Sequence, residues 1–124
     1  MADKSITELI EKIKVIAELT LKELKGYKIW EPISKNDPKY MAQISKNEKI
    51  LRLVNNNLYD ISILTSTFKK STKEIDRELE CIYVFINAIA PHFNQIDKWE
   101  IKKKVTQTIY KVYTSCNKIK NMNK

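Results

Sequence analysis

The chain has 124 residues, 43% of them hydrophobic and 31% charged, with a formal net charge of +8. Its length allows roughly two-thirds of the unfolded surface to be buried, enough for one core without metal or disulfide staples. The balance of apolar and charged residues excludes a disordered chain. One Gly and three Pro are too few for the many tight turns of a sheet protein. An all-α four-helix bundle is therefore expected, forming a single domain over residues 1–124.

The longest apolar run, Cys81–Ile86, is far shorter than the ~20 residues a membrane-spanning helix needs. The stretch Met1–Ile10 carries Asp3 and Glu8 and lacks the apolar core and small-residue cleavage site of an export signal. No membrane partner is expected, and the chain reads as intracellular, hence cytoplasmic. Cys81 and Cys116 fit small buried hydrophobes on helix faces, with a disulfide between them left open.

In chain order, three segments begin with the same motif: Ser5-Ile6-Thr7-Glu8, Ser45-Lys46-Asn47-Glu48 and Ser71-Thr72-Lys73-Glu74. Each fits the capping box, in which the serine hydroxyl accepts from the NH three residues on and the glutamate reaches back to the serine NH. The first precedes the stripe Ile6, Leu9, Ile10, Ile13, Ile16, Ala17, Leu21, Leu24 and predicts a helix over 6–25, closed by Gly26. Residues 26–44 form a long irregular connection with Tyr27, Trp30, Tyr40 and Met41, in which Asp37-Pro38 caps a short turn through Ile44. Trp30 either pins this loop over the bundle end or anchors a partner, with Tyr27 and Tyr40 as companion partner-binding candidates.

The second box precedes Leu51, Val54, Leu58, Ile61, Thr65 and Phe68 and predicts a helix over 46–69. The third precedes Ile75, Leu79, Ile82, Ile86 and Ile89, stopped by Pro91, for a helix over 72–90. This third helix is apolar on nearly every side, with Cys81, Tyr83, Val84, Phe85 and Ala88 around its stripe. It is expected either to be central in the bundle or to dock a second copy or partner. A last start at Asn94 or Asp97 leads into Ile101, Val105, Ile109, Val112, Cys116 and Ile119, a helix over 96–120 with a frayed tail at 121–124.

Charge is unevenly placed. Residues 1–97 hold fifteen Lys or Arg against fourteen Asp or Glu, whereas residues 98–124 hold eight Lys against Glu100 alone. Lys104, Lys111 and Lys118 repeat every seven residues and so line one side of the last helix. Lys103, Tyr110, Tyr113 and Lys120 are expected along an adjacent strip, with Thr106 and Asn117 between them, and Lys102 joins these lysines as a candidate phosphate contact. Ammonium groups interleaved with rings suit a phosphate backbone, through counterion release and stacking. No arginine lies in this helix, so the bidentate reading of guanine is not on offer. The competing account is a solvated lysine face that complements the helix dipole and aids solubility. The acids Glu74, Asp76, Glu78 and Glu80 suit the start of the third helix, or a docking patch for a neighbouring copy's basic helix.

Catalytic and metal-site chemistry finds no constellation. There is one histidine, His92; no Glu-x-x-His pair for a di-iron bundle; no Cys/His spacing for zinc; and no glycine loop for phosphate. Arg77 and His92 stand too far apart for the Arg–His pair of small helical ribonucleases. No cofactor and no enzyme activity are expected. The sequence points to a binding protein that contacts the nucleic-acid backbone as a small subunit of a nucleoprotein assembly. The alternative is a protein-binding modulator, such as a phage- or plasmid-borne inhibitor or immunity-type bundle, that meets an acidic protein surface; a homo-oligomer is open in either case.

Overall fold

The computed structural model describes residues 3–29, 34, 36–68 and 72–124. Among these, four α-helices follow one another: α1 Lys4–Leu24, α2 Pro38–Thr67, α3 Lys73–Asn87 and α4 Ile101–Met122, with a 3₁₀ segment Ala90–Gln95 ahead of α4. Each helix packs on its neighbours in sequence, and α4 closes back onto α1. Contacts between opposite ends, such as Asp3 with Asn123 and Glu78 with Lys118, make the ring antiparallel, an up-down-up-down bundle. The expected all-α, four-helix architecture is what forms; its boundaries move. No described helix is long and apolar enough to cross a membrane.

The moved boundaries have local causes. Asp3, not Ser5, caps α1: its extended backbone lets the carboxylate accept from the Ser5 NH at 2.8 Å, placing negative charge at the positive helix end. At the other end Gly26 follows α1 without a left-handed backbone. The fit is close there: a Cβ would meet Ile50 Cδ1 at 3.1 Å, so any side chain at 26 requires Ile50 to shift by a few tenths of an ångström. Asp37 caps α2 by accepting from the Lys39 NH at 2.8 Å, with Pro38 in the first turn. The expected short turn through Ile44 runs on unbroken, so Ser45–Glu48 lies inside a 30-residue helix and caps nothing.

Thr72 caps α3 through the Ile75 NH at 3.3 Å; Ser71, the expected cap, lies outside the described residues. α3 ends at Asn87 because the chain tightens ahead of Pro91, and the 3₁₀ segment that follows buries Ala90 and Phe93. Asp97 opens a turn, accepting from the Trp99 NH at 2.8 Å, before α4 begins at Ile101. The tail is not frayed at Asn123, whose side chain holds Asp3 through its NH and carbonyl and donates to Thr7 Oγ1. Nor is α3 central: it packs between α2 and α4 as each helix does between two others, leaving Tyr83 and Val84 exposed.

The four stripes meet in one core cluster that includes Ile13, Ala17, Val54, Leu58, Ile61, Ile82, Ile86, Val105, Ile109, Val112 and Ile119. Burying each large aliphatic side chain stabilises the fold by about 1.5–3 kcal/mol. Polar groups fix how the chain leaves α1. Asn47 Oδ1 accepts from the Lys28 NH at 3.2 Å and from Gln43 Nε2 at 2.7 Å, while its Nδ2 donates to the Lys28 carbonyl at 2.7 Å. Gln43 Nε2 also donates to the Gly26 carbonyl. The pair straps residues 26–28 to α2, which turns Tyr27 inward.

Replacing Asn47 with Ala leaves the Lys28 backbone groups without these partners, an expected loss of about 1–3 kcal/mol. Leu58→Ala, which opens a cavity in the core, is expected to cost about 2–5 kcal/mol. Urea unfolding followed by circular dichroism measures both; an Asn47→Ala variant as stable as the parent would rule out the strap.

Candidate nucleic-acid interface

One repeat gives α4 two characters. Ile101, Val105, Thr108, Ile109, Val112, Ser115, Cys116 and Ile119 are buried, and at 3.6 residues per turn they occupy one side of the helix. The six lysines Lys102, Lys103, Lys104, Lys111, Lys118 and Lys120 are all exposed. No Asp or Glu occurs between Ile101 and Met122.

These lysines form two flanks and a crest. Lys104, Lys111 and Lys118 follow the α3 side, about 10 Å apart along the axis. Lys111 Nζ sits 5.5 Å from the Phe85 ring centroid, and Lys118 Nζ is 4.0 Å from Glu78 Oε1. Lys104 and Lys111 edge a shallow cavity of about 220 Å³ whose apolar wall is Val84, Phe85 and Ala88. Lys102 and Lys120 lie on the α1 side, where Lys102 Nζ donates to the Tyr27 carbonyl at 3.3 Å. Lys103 stands between the flanks.

The expected strip Lys103–Tyr110–Tyr113–Lys120 is split. The three-residue step from 110 to 113 falls about 60° short of a full turn. Tyr110 shares the crest with Lys103 and is 59% exposed, whereas Tyr113 is half-buried against the core. The rings remain neighbours, with centroids 6.2 Å apart and tilted by 56°.

Neutralisation of this surface is slight. The Lys118–Glu78 pair is at the edge of contact and the lysine side chain is 61% exposed, a geometry that contributes about 0–1 kcal/mol. Among the described residues, no carboxylate lies within 4.0 Å of the other five lysines.

Of the aromatic partner-binding candidates, Tyr27 is the one that the structure withdraws from the surface. Tyr27 is 4% exposed, and its hydroxyl donates to the Lys98 carbonyl at 3.0 Å; it is a core residue because the Asn47 strap turns it in. Tyr40 is half-buried near the start of α2, beside Lys28, Ile29 and Asn47. Trp30 lies outside the described residues. His92 is exposed on the 3₁₀ segment, and no three of His, Cys, Asp and Glu gather among the described residues as a metal would require.

Two surface features do not follow from the helical stripes. An apolar groove between α1 and α2, lined by Val15, Ile16, Ile63 and Leu64 with Glu11, Lys12 and Asp60 at its edges, joins Ile16 of the first stripe to Val15, Ile63 and Leu64, which lie off the stripes. A larger cleft lies between α2 and the 93–101 segment and includes Arg52, Asn55 and Asn56. A local signal for it exists in Asn55-Asn56-Asn57, three residues in mid-helix that each cost up to about 0.7 kcal/mol relative to Ala. With the geometry described, comparison adds no relative: no family model, curated protein or solved structure matches the chain.

Burial sets the chemistry of three groups on or near α4. The Cys116 thiol is fully buried and free, and burial pushes its pKa up to about 11 from 9.0, only partly opposed by Lys14. Tyr113 is raised by burial and then by Glu18, and Tyr27 by burial and then by Asp97. All three are neutral in the fold and ionise more readily once unfolded. Their contribution to stability is therefore full below the unfolded values, 9.0 for the thiol and 10.0 for the phenols, and is lost as pH rises through the folded ones. The urea midpoint is expected to hold up to pH 9.0 and to fall between there and about 11. Cys81, half-buried, is expected to react with an aromatic disulfide before Cys116; equal rates in the native protein would contradict the burial of Cys116.

Proposed function

We infer that this protein is a non-enzymatic polyanion-binding bundle that holds the sugar–phosphate backbone of nucleic acid along the outer side of α4. It does so independently of sequence and serves as a small helical subunit of a nucleoprotein assembly. The observation that carries this reading is the position of Lys102, Lys103 and Lys104. They fill the first turn of α4, where the helix dipole is positive and repels cations by about 0.3–1 kcal/mol each. That turn holds no acid, and Glu100 at the N-cap makes no side-chain cap bond.

Lysines present only for solubility or helix stability belong at the other end, as Lys120 does. A phosphate near residues 102–104 relieves the repulsion, so binding gains what the free helix lacks. Lys111 and Lys118 extend the positive surface toward the C-terminal end, and Tyr110 offers an exposed ring between the flanks. With lysine rather than arginine on this surface, contacts are point charges that release counterions without bidentate base reading.

The decisive variant is Lys103→Glu with Lys104→Glu. Fluorescence anisotropy with mixed-sequence DNA and RNA at low salt is expected to show about a tenfold or greater loss of affinity and a shallower salt dependence. The same variant is expected to unfold at a higher temperature, because it places acids where the dipole favours them. Lys12→Glu with Lys22→Glu changes net charge equally on α1 and is expected to leave affinity near the parent's. Wild-type protein that binds neither polymer at low salt would overturn the reading; equal losses from both double variants would reduce it to a net-charge effect.

A further inference from the structure

The cleft between α2 and the 93–101 segment has the construction of a small-molecule site. It is an open cleft with a volume of about 580 Å³, within the roughly 300–1,000 Å³ of ligand pockets. Burial is graded through it. Tyr27, Phe93 and Ile101 form a buried floor; Leu51, Asn55 and Ile96 are half-buried walls; Arg52 and Lys98 stand exposed at the rim with Glu48. The buried floor is therefore mainly apolar, while Asn55, Asn56 and Asn94 bring amides to the cleft and Glu48, Arg52 and Lys98 bring charge.

One of those points is unusual. Asn55 Oδ1 is buried and has no hydrogen-bond partner. A buried carbonyl oxygen is normally paired, and Asn55 is one of the residues that line the cleft. Arg52 precedes Asn55 by three residues, which puts both on the same face of α2, one turn apart. The wall thus offers an acceptor inside and a cation outside, separated by one turn along an apolar surface. Asn55 and Asn56 both line the cleft, so the helix-disfavouring asparagine run falls where the fold has a cavity to face, the kind of local conflict that marks functional positions.

We propose that this cleft binds a mononucleotide. Its base packs on Leu51, Phe93, Ile96 and Ile101 and donates an N–H to Asn55 Oδ1, while its phosphate meets Arg52 and Lys98. The apolar floor accepts a flat ring, the buried acceptor selects one with an amine or ring N–H, and the rim supplies the charge that a phosphate needs. This site uses none of the lysines between residues 102 and 120, so it stands or falls separately from the α4 reading.

The test is a titration of the full chain with each of the four ribonucleoside monophosphates, followed by methyl chemical shifts of Leu51, Ile96 and Ile101. Inorganic phosphate and the parent nucleosides serve as separate arms. Saturable shifts of those methyls are expected with at least one nucleotide. Asn55→Leu, checked for folding by circular dichroism, is expected to weaken that nucleotide about tenfold. Arg52→Gln, a change at the exposed rim, is expected to bring nucleotide affinity down to that of the nucleoside. The proposal is overturned if no nucleotide moves these methyls, if phosphate alone moves them with equal affinity, if Asn55→Leu binds as tightly as the parent, or if the shifts fall on the outer side of α4 instead.

Discussion

Burial of the row Ile101, Val105, Ile109, Val112, Cys116 and Ile119, each at most 2% exposed, governs the rest of the molecule. Because this row must face the other three helices, the angular position of every lysine on α4 is settled by it. Rotating α4 by one residue would bring an ammonium group into the core, where an unpaired charge costs far more than any surface gain. The fold therefore creates the charged surface as a consequence of its packing. The lysines fall on both flanks because the buried side claims only part of the circumference.

The first turn of α4 is further tied down by polar contacts at the same end of the bundle. The Asn47–Gln43 strap sets residues 26–28; Tyr27 then reaches the Lys98 carbonyl, and its own carbonyl receives Lys102. Lys102 is thus partly structural, bridging α1 to α4, while Lys103 and Lys104 stay uncommitted. At the opposite end Asn123 clasps Asp3. Both ends of α4 are held against α1, so its outer side is presented by a backbone anchored at two points.

What was legible in the sequence was whatever repeats. The four stripes repeat at helical spacing, and each marked its helix; the lysines on α4 followed from the same periodicity. Helix starts are less legible, because a Ser-x-x-Glu pattern records chemistry that is available, not chemistry that is used. Asp3 outcompetes Ser5 as a cap, and Asn47 is engaged by the Lys28 backbone two residues after Ser45, so the middle box sits within a continuous helix. Tyr27 was misplaced because nothing local shows that Asn47 and Gln43 will strap the preceding loop inward. The α2 cleft was missed for a related reason: its far wall comes from residues 93–101, distant in sequence from Arg52 and Asn55.

Two places in the chain break a local rule with no compensation within their own helix: lysines at the positive end of α4, and asparagines in the middle of α2. Their energetic meaning differs. The lysine conflict is between exposed ammonium groups and the helix dipole, which water and salt screen to about 0.3–1 kcal/mol each; the fold tolerates it cheaply, and any nearby anion relieves it. The buried Asn55 oxygen is short-ranged and unscreened, and only a donor placed within hydrogen-bond distance can satisfy it. The first surface is accordingly suited to a diffuse polymer charge and the second to one defined group. A single chain can carry both because the core row that positions the lysines and the helix face that positions Asn55 are set by different stripes of the same bundle.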